Sequence, residues 1–201
     1  PGIKEGSNAK ILTMDDLRKK FGIEKEYILF VGTLQPRKNI IKLVEAFSKI
    51  ERQNLELVIV GKKGWLYEDI LYSPQKYGVG ERVRFLDFVE DKDLPSLYKN
   101  ATCFVLPSLY EGFGLPVLEA MKYGAPVLTS NVSSLPEAGG DAALYFNPED
   151  TDDIREKIER VIKDPKLRSE MIEKGKAQIK KFSWEKTARQ TLKVLEDLGG
   201  K

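Results

Sequence analysis

Two apolar runs, each closed by a glycine, constrain the fold of this chain more than any other feature. YILFVG (27–32) and LELVIVG (55–61) are almost continuously apolar and lack the polar alternation of a half-exposed strand. Such runs are typical of a parallel sheet that is covered on both faces. A helical pattern over 39–52 separates them, with Ile40, Leu43 and Val44 on one face.

The alternation of strands and helices continues along the chain. The sequence predicts further strands over 83–89, 102–107, 125–130 and 142–147, and further helices over 13–20, 65–71, 91–99 and 115–122. From Thr151 onward it predicts helices, with a break at Asp164-Pro165 and a new start at Ser183. We therefore expect one domain over residues 1–201, a doubly wound, Rossmann-like α/β fold with about six parallel strands and C-terminal helices.

Composition and charge narrow the class of protein. The 33 Lys and Arg residues nearly balance 31 Asp and Glu residues, a net charge too small to argue for nucleic acid or a membrane surface as a partner. The chain has no histidine, which excludes Ser-His-Asp catalysis and the common zinc sites within it. Its single cysteine, Cys103, lies in an apolar run and is expected to be a buried structural thiol.

Targeting signals are also missing from the sequence. No apolar run is long enough to span a membrane, and the chain opens on Pro1-Gly2 without a signal-peptide pattern. We therefore expect a fragment of a cytoplasmic protein.

Ligands of doubly wound sheets bind beyond the carboxyl ends of the strands, which directs attention to the loops there. After the strand over 102–107 comes SLYEGFG, and a helix begins at Leu115-Pro116. Gly112 and Gly114 allow a tight turn and a close approach to a ligand, while the helix N-terminus offers free N–H groups. Glu111 and Glu119 can face one crevice, where each carboxylate can accept hydrogen bonds from two adjacent hydroxyls. A solvated loop charge and a first-turn helix residue are the alternatives for these glutamates.

Two basic loops lie at the same edge. Arg37 and Lys38 precede a helix N-terminus, which is unfavourable for cations unless an anion such as a diphosphate lies between them. A pair of exposed basic residues near a turn is the alternative. Lys62 belongs to a third loop, GKKG (61–64), whose glycines suit a close approach.

Other acidic and aromatic residues have simpler explanations. Asp91 and Asp93 form a D-x-D pattern that can hold a divalent metal, but they precede a helix start, so capping is the better interpretation. Asp152-Asp153 likewise opens a helix, and we expect no metal. The aromatic residues that fall in predicted strands are expected in the core: Phe85, Phe88, Phe104 and Phe146.

Taken together, these motifs resemble the C-terminal, donor-binding domain of family-4 retaining glycosyltransferases, the group 1 enzymes with two Rossmann-like domains (GT-B fold). The signature is an E-x7-E motif, from Glu111 to Glu119 in EGFGLPVLE. The likeness extends over essentially the whole chain, from Pro1-Gly2-Ile3 through VGTLQPRKN, LVIVGKKGW and PVLTSNVSSLPEAGG to FSWEKTA. The PRKN and GKKGW variants are most similar to mannosyltransferases.

The resemblance implies a role for each matching residue. Glu111 would contact hydroxyls of the donor sugar, and Glu119 the two ribose hydroxyls. Lys38 would bind the diphosphate, and Arg37 would supply the charge of an arginine that many members carry where this chain has Thr33. We therefore predict Glu111, Lys38 and Arg37 as catalytic residues. The predicted binding residues are Gly32, Thr33, Lys62, Val89 (whose backbone would lie near the nucleobase), Gly112, Phe113, Gly114, Leu115 and Glu119.

The resemblance also implies an activity. Such enzymes transfer a hexose from a GDP- or UDP-linked donor to a glycan, polysaccharide or lipid, with retention and without a metal or other cofactor. The acceptor site would lie in an N-terminal domain that this chain lacks, and any contact with the inner face of the membrane would be made through that domain. We expect the chain alone to bind the donor weakly and not to transfer efficiently. A non-catalytic Rossmann-like module that binds a nucleotide or partner, or half of a nucleotide-sugar epimerase, remains an alternative.

Overall fold

A six-stranded parallel sheet organises the chain, for which a computed structural model describes residues 11–199. The order of the strands is β3-β2-β1-β4-β5-β6 and every neighbouring pair is parallel. This is the expected doubly wound, Rossmann-like fold, and the prediction of about six strands is confirmed. The strands are β1 (Glu26–Val31), β2 (Leu55–Val60), β3 (Val83–Leu86), β4 (Cys103–Leu106), β5 (Val127–Ser130) and β6 (Ala143–Phe146).

Helices connect the strands and close the C-terminal end. They are α1 (Met14–Phe21), α2 (Ile40–Ser48), α3 (Glu68–Lys76), α4 (Leu94–Asn100), α5 (Leu115–Lys122), α6 (Leu135–Gly139), α7 (Thr151–Lys163), α8 (Pro165–Ile179) and α9 (Trp184–Gly199). None of the helices within residues 11–199 is both long enough and apolar enough to cross a membrane. The motif at Pro1-Gly2-Ile3 lies outside the described residues.

The core lies on both faces of the central strands. Every residue of β2, β4 and β5 is buried, whichever face it points to, so helices cover the sheet on both sides. The outer strands β3 and β6 are only half-buried over most of their length. Cys103 is fully buried in β4, which raises the pKa of its thiol to about 12 and supports the structural role predicted for it.

Most predicted helices start or end within a few residues of their observed bounds, and the largest shift is at α3. The sequence predicts this helix over 65–71, but Leu66 adopts a φ of 51°, a left-handed conformation that no helix can include. The helix therefore begins at Glu68, and it continues through Pro74 to Lys76.

The last helix differs from the others in its packing. None of the described residues of α9 is buried, although α7 and α8 each bury several side chains. Trp184, Leu192, Leu195 and Leu198 are each more than half exposed. Helix α9 therefore adds no buried side chain to the core of the described residues.

Candidate functional site

The order of the strands defines one switch point in the sheet. From β1 the chain runs outward through β2 to β3, then crosses back to β4 on the other side of β1. Loops that leave β1 and β4 at their carboxyl ends diverge at this point and leave a crevice between them. The loop after β1 carries Arg37 and Lys38, and the loop after β4 carries Glu111.

The N-terminus of α5 faces this crevice. Gly114, the residue before the helix, has a φ of 91°, and a Cβ there would lie 2.9 Å from Leu135 Cδ2. Both facts favour glycine, the φ value most of all, so the tight turn predicted at Gly114 is present. Pro116 occupies the first turn of the helix, where its missing N–H leaves no bond unmade. The N–H of Val117 donates to the carbonyl of Gly114 at 2.9 Å, and the other N–H groups at this end of the helix are suited to an anion.

Glu111 is the hub of the site. Its Oε1 accepts hydrogen bonds from Lys38 Nζ and from Ser108 Oγ, both at 2.6 Å, and its Oε2 accepts one from Arg37 Nη1 at 3.0 Å. The Lys38 and Glu111 side chains are only 8% and 9% exposed. The structure therefore brings the three predicted catalytic residues into direct contact.

The charge state of Glu111 follows from these contacts. Burial alone would raise the pKa of its carboxyl group, but the hydrogen bonds from Lys38 and Ser108, the Lys38 charge and the hydrogen bond from Arg37 outweigh burial. The pKa of Glu111 is therefore held below its usual range. The carboxylate is ionised at neutral pH and lies between two cations, so both cations already have an anionic partner within the protein. The diphosphate that the sequence predicts beside them stays a prediction.

Two serines after β5 hold the backbone of Glu111. The amide N–H of Glu111 donates to Ser133 Oγ at 3.1 Å, and Ser134 Oγ donates to the carbonyl of Glu111 at 2.9 Å. Ser133 adopts a φ of 52°, which is unfavourable for a residue with a Cβ. Sequence reasoning missed both residues, because nothing in a local pattern indicates this contact between two loops.

The two cations are held differently. Residues 36–38 form a short 3-10 turn, which the N–H of Asn39 closes by donating to the carbonyl of Pro36 at 2.9 Å; Asn39 has a φ of 55°. Lys38 is almost fully buried beside Glu111, whereas Arg37 is 36% exposed and also donates to the carbonyl of Tyr110 at 2.7 Å. Lys38 is thus held inside the crevice, and Arg37 links the loop after β1 to the loop after β4 at the edge of the crevice.

Glycines join the loops that follow β1 and β2. A Cβ on Gly61 would overlap the carbonyl oxygen of Gly32, and a Cβ on Gly32 would lie 3.4 Å from Lys38 Cε. Leu34 N donates to the carbonyl of Lys62 at 2.9 Å. The close approach predicted for the glycine loop over 61–64 is therefore made to the neighbouring loop, and Gly32 leaves room for Lys38. Thr33, the residue after Gly32, is exposed.

Lys62, Phe88 and Val89 lie farther along the same edge. The prediction that Phe88 belongs to the core is wrong: the side chain is 66% exposed, because β3 ends at Leu86 and the chain leaves the sheet there. Lys62 Nζ lies 5.1 Å from the centre of the Phe88 ring, within cation–π range. Val89 is 6% exposed, so its side chain helps to anchor the loop.

Glu119 is half-buried on α5, one turn into the helix. Tyr98 Oη, from the fully buried ring of Tyr98 on α4, donates to Glu119 Oε2 at 3.2 Å. Burial first, and then the charge of Glu119, raise the pKa of Tyr98 well above its usual range, so this phenol remains a donor. No sequence signal indicated this role for Tyr98.

The remaining loop residues differ in environment. Gly112 is exposed and a Cβ there would meet no atom within 4 Å, so open space lies in front of it. Phe113 is half-buried with its ring edge-on to Phe182, at 5.7 Å between ring centres. Leu115 is 37% exposed at the start of α5.

Asp93 does not cap α4 through its side chain, which corrects the prediction from the D-x-D pattern. Its carboxylate instead pairs with Lys20 Nζ at 2.7 Å, a partner that is distant in sequence. Within residues 11–199 no three His, Cys, Asp or Glu side chains are grouped so that they could hold a metal ion.

The fold and the loops at its switch point thus define a Rossmann-like domain with a cationic crevice at a helix N-terminus. The chain belongs to the family described as "Glycosyl transferases group 1", which matches residues 13–178. This match confirms the resemblance that the E-x7-E motif suggested.

Individual proteins are similar over the same region. O-antigen chain mannosyltransferase B of Escherichia coli is 45% identical over 170 residues, which cover 83% of this chain and 44% of that protein. Among solved structures, sucrose-phosphate synthase from Thermosynechococcus elongatus matches with a TM-score of 0.81 and 29% identity, over 97% of this chain and 51% of that one.

A third comparison concerns the fold alone. Anabaena HepE, solved in complex with UDP-glucose, matches with a TM-score of 0.80 at 20% identity, over 90% of this chain and 51% of that one. The chain therefore has the fold of one domain of GT-B glycosyltransferases. It spans about half the length of these relatives.

Proposed function

We propose that this chain binds the nucleotide diphosphate sugar from which a retaining hexosyltransferase transfers a hexose to a glycan, polysaccharide or lipid. The observation that carries the proposal is the convergence of Lys38, Arg37 and Glu111 at the switch point between β1 and β4. Membership of the group 1 family and similarity to a mannosyltransferase support it. GDP-mannose is the donor that we propose first, and UDP-glucose the second.

The diphosphate binds between Lys38 and the N-terminus of α5 in this proposal. Lys38 and Arg37 carry one more positive charge than Glu111 neutralises, so the crevice attracts an anion. Lys38 has three donor positions and gives one hydrogen bond to Glu111, which leaves others for phosphate oxygens. Gly112 and Gly114 let the phosphates approach the free N–H groups of the helix.

Two carboxylates bind the hydroxyl groups of the donor. Glu111 accepts from the sugar through its Oε2, which carries fewer of its hydrogen bonds than Oε1. Glu119, one turn into α5, accepts hydrogen bonds from the ribose hydroxyls. The backbone at Val89 lies beside the nucleobase. Gly32, Thr33, Lys62, Phe113 and Leu115 border the same crevice.

The chemical step in this proposal needs stabilisation of charge. The bond between the anomeric carbon and the phosphate oxygen breaks, and its electron pair leaves with the diphosphate. The acceptor oxygen bonds to the anomeric carbon on the same face and passes its proton to an oxygen of the departing diphosphate. Lys38, Arg37 and the N–H groups of α5 stabilise the departing diphosphate without a metal, and removal of one such group is expected to slow transfer about 10²–10³-fold.

The acceptor belongs to a second domain in this proposal. The chain spans about half the length of the relatives that it matches, which supports a partner domain of similar size. We propose that this domain holds the acceptor on the cytoplasmic side of the membrane. Any contact of the protein with the membrane is then made by this domain.

Calorimetry of the 201-residue chain with GDP, UDP, GDP-mannose and UDP-glucose tests donor binding. We expect at least one nucleotide to bind and Lys38→Ala to weaken that binding tenfold or more, because the diphosphate loses its buried cation. Glu119→Ala should weaken binding of the nucleotide and of its sugar conjugate equally. Lys163→Ala, which removes an exposed lysine from α7, is the matched control and should bind as the unchanged chain does.

Nucleotide binding that survives both Lys38→Ala and Glu119→Ala would refute the proposed donor site. A polypeptide that joins this chain to its partner domain separates the remaining alternatives. Hexose transfer supports the proposal, binding without turnover indicates a non-catalytic module, and conversion of the free nucleotide sugar indicates an epimerase.

A further inference from the structure

Ser108 is a buried polar residue for which the proposed function has no role. It lies just beyond the end of β4 and has no exposed surface. Its Oγ donates to Glu111 Oε1 at 2.6 Å, as short as the bond from Lys38 to the same oxygen. A hydrogen bond of this length to an ionised carboxylate belongs to the stronger kind in proteins.

The two partners of Oε1 differ in what else they can do. Lys38 is a long cation, which in the proposed function also engages the donor diphosphate. The hydroxyl of Ser108 sits on a short, fully buried side chain two residues beyond β4, so it has little room to move. Ser133 and Ser134 fix the backbone of Glu111, which leaves rotation of its side chain as the remaining freedom.

We propose that Ser108 is a positioning residue, which holds Oε1 of Glu111 in place when Lys38 engages the donor diphosphate and so keeps Oε2 directed at the donor sugar. This inference rests on the proposed donor site and adds a residue to it. Ser108 touches no part of the donor; it acts through Glu111.

The pKa of Glu111 provides a measurement that would not change if Ser108 only filled space in the core. The charged groups that act on Glu111 among the described residues are Lys38 and Arg37, from the turn before α2. The loop after β4 acts on it through Ser108, and the loop after β5 bonds its backbone through Ser133 and Ser134. Loss of the Ser108 hydrogen bond removes one of the contacts that lower the pKa of Glu111.

Ser108→Ala tests the proposal in the 201-residue chain, with two readouts. The first is the ratio of the dissociation constants of GDP and GDP-mannose, with UDP and UDP-glucose as the parallel pair. We expect the advantage of the sugar conjugate to fall about tenfold, as befits one hydrogen bond to a charged group, while GDP binds as before. The second readout is the titration of the ¹³C-labelled Glu111 carboxyl, whose midpoint should move to higher pH.

Ser130→Ala is the matched control. Ser130 is equally buried at the end of the neighbouring strand, and its Oγ donates to the carbonyl of Leu106 at 3.4 Å, not to a site residue. This variant should leave both readouts unchanged. Ser108→Cys keeps the size of the side chain with a weaker donor and should change both readouts part of the way. It carries the test if Ser108→Ala does not fold.

The outcomes separate this inference from the proposed function. If the chain without substitutions binds none of the four nucleotides, the proposed donor site is wrong, and the role of Ser108 is wrong with it. Normal binding by the unchanged chain, together with unaltered ratios and titration midpoints in both Ser108 variants, overturns the role of Ser108 and leaves the donor site standing.

Discussion

Lys38 Nζ lies 2.6 Å from Glu111 Oε1, although the two residues are 73 positions apart in the sequence. Both side chains are more than nine-tenths buried, and they belong to loops on opposite sides of the switch point. The ion pair therefore joins the two halves of the sheet at the crevice. It also gives the buried lysine an anionic partner within the protein, and a diphosphate bound as proposed would share Lys38 with Glu111.

Glu111→Gln is expected to destabilise the fold, because it leaves the buried ammonium of Lys38 without a charged partner. Breaking one side of a buried pair costs on the order of 3 kcal/mol in the free energy of unfolding. Urea denaturation at neutral pH measures this change. Glu173→Gln removes an exposed partner of Lys176 and should change stability by less than about 1 kcal/mol. Equal effects of the two substitutions would show that the Lys38–Glu111 pair adds nothing.

The destabilisation by Glu111→Gln should depend on pH. The pKa of Glu111 is lowered in the folded state, so its charge stabilises the fold above the ordinary carboxyl pKa, and this stabilisation is lost as the pH falls through the folded pKa. Urea denaturation in a series of acidic buffers should therefore show the difference between Glu111→Gln and the unchanged chain shrinking toward zero. A difference that stays constant in acid contradicts this prediction.

Glu111→Gln is also expected to bind GDP or UDP more tightly, by about tenfold, while losing the advantage of the sugar conjugate. The substitution removes the negative charge that competes with the diphosphate for Lys38 and Arg37. A charge within 3.0 Å of these two cations changes the binding free energy by more than about 1 kcal/mol at a partly buried site. Calorimetry with the nucleotide alone measures the gain. Weaker nucleotide binding in this variant would contradict the competition.

Tyr98→Phe is expected to weaken nucleotide binding roughly three- to tenfold, since Glu119 loses the hydroxyl that orients it. Tyr27→Phe is the matched control, because Tyr27 is also fully buried and donates to the carbonyl of Leu97 at 2.6 Å, away from the crevice. Both variants should lose some stability in thermal unfolding, and only Tyr98→Phe should lose affinity. If both lose affinity alike, the effect belongs to the fold and not to Glu119.

Gly61→Ala is expected to lower stability by about 3 kcal/mol, the upper end of the usual cost of overpacking, because its Cβ would overlap the backbone of Gly32 and force the loops after β1 and β2 apart. Gly80→Ala is the control: a Cβ there meets no atom within 4 Å, so its effect should stay within about 0.5 kcal/mol. Thermal unfolding compares the two. An equal melting temperature would show that the loops tolerate separation.

The sequence predicts the elements of this fold well because most of its strands are buried on both faces. Runs such as YILFVG leave no doubt about a strand, and α5 begins and ends as expected at Leu115 and Lys122. Local patterns failed where a distant partner or an unusual dihedral angle determines the structure. Asp93 pairs with Lys20 instead of capping a helix, and the left-handed φ of Leu66 delays the start of α3. Phe88 is exposed because β3 is shorter than its apolar run.

The same division applies to the candidate site. Strand ends and glycines led to Arg37, Lys38, Glu111 and Glu119, because the loops of a parallel sheet meet at one edge. The hydroxyls that hold the glutamates, from Ser108 and Tyr98, come from positions whose sequence context is ordinary for a core. Their function depends on which atom faces which, and only the folded chain shows this.

The separation of the two edges of the sheet has a practical consequence. All residues of the crevice follow the carboxyl ends of strands, whereas Lys99, exposed near the end of α4, precedes the start of β4. A tether at the position of Lys99 would attach the molecule by the edge away from the crevice. The chain could then be immobilised on a sensor surface with its crevice open to nucleotides, and every variant could be compared in one orientation.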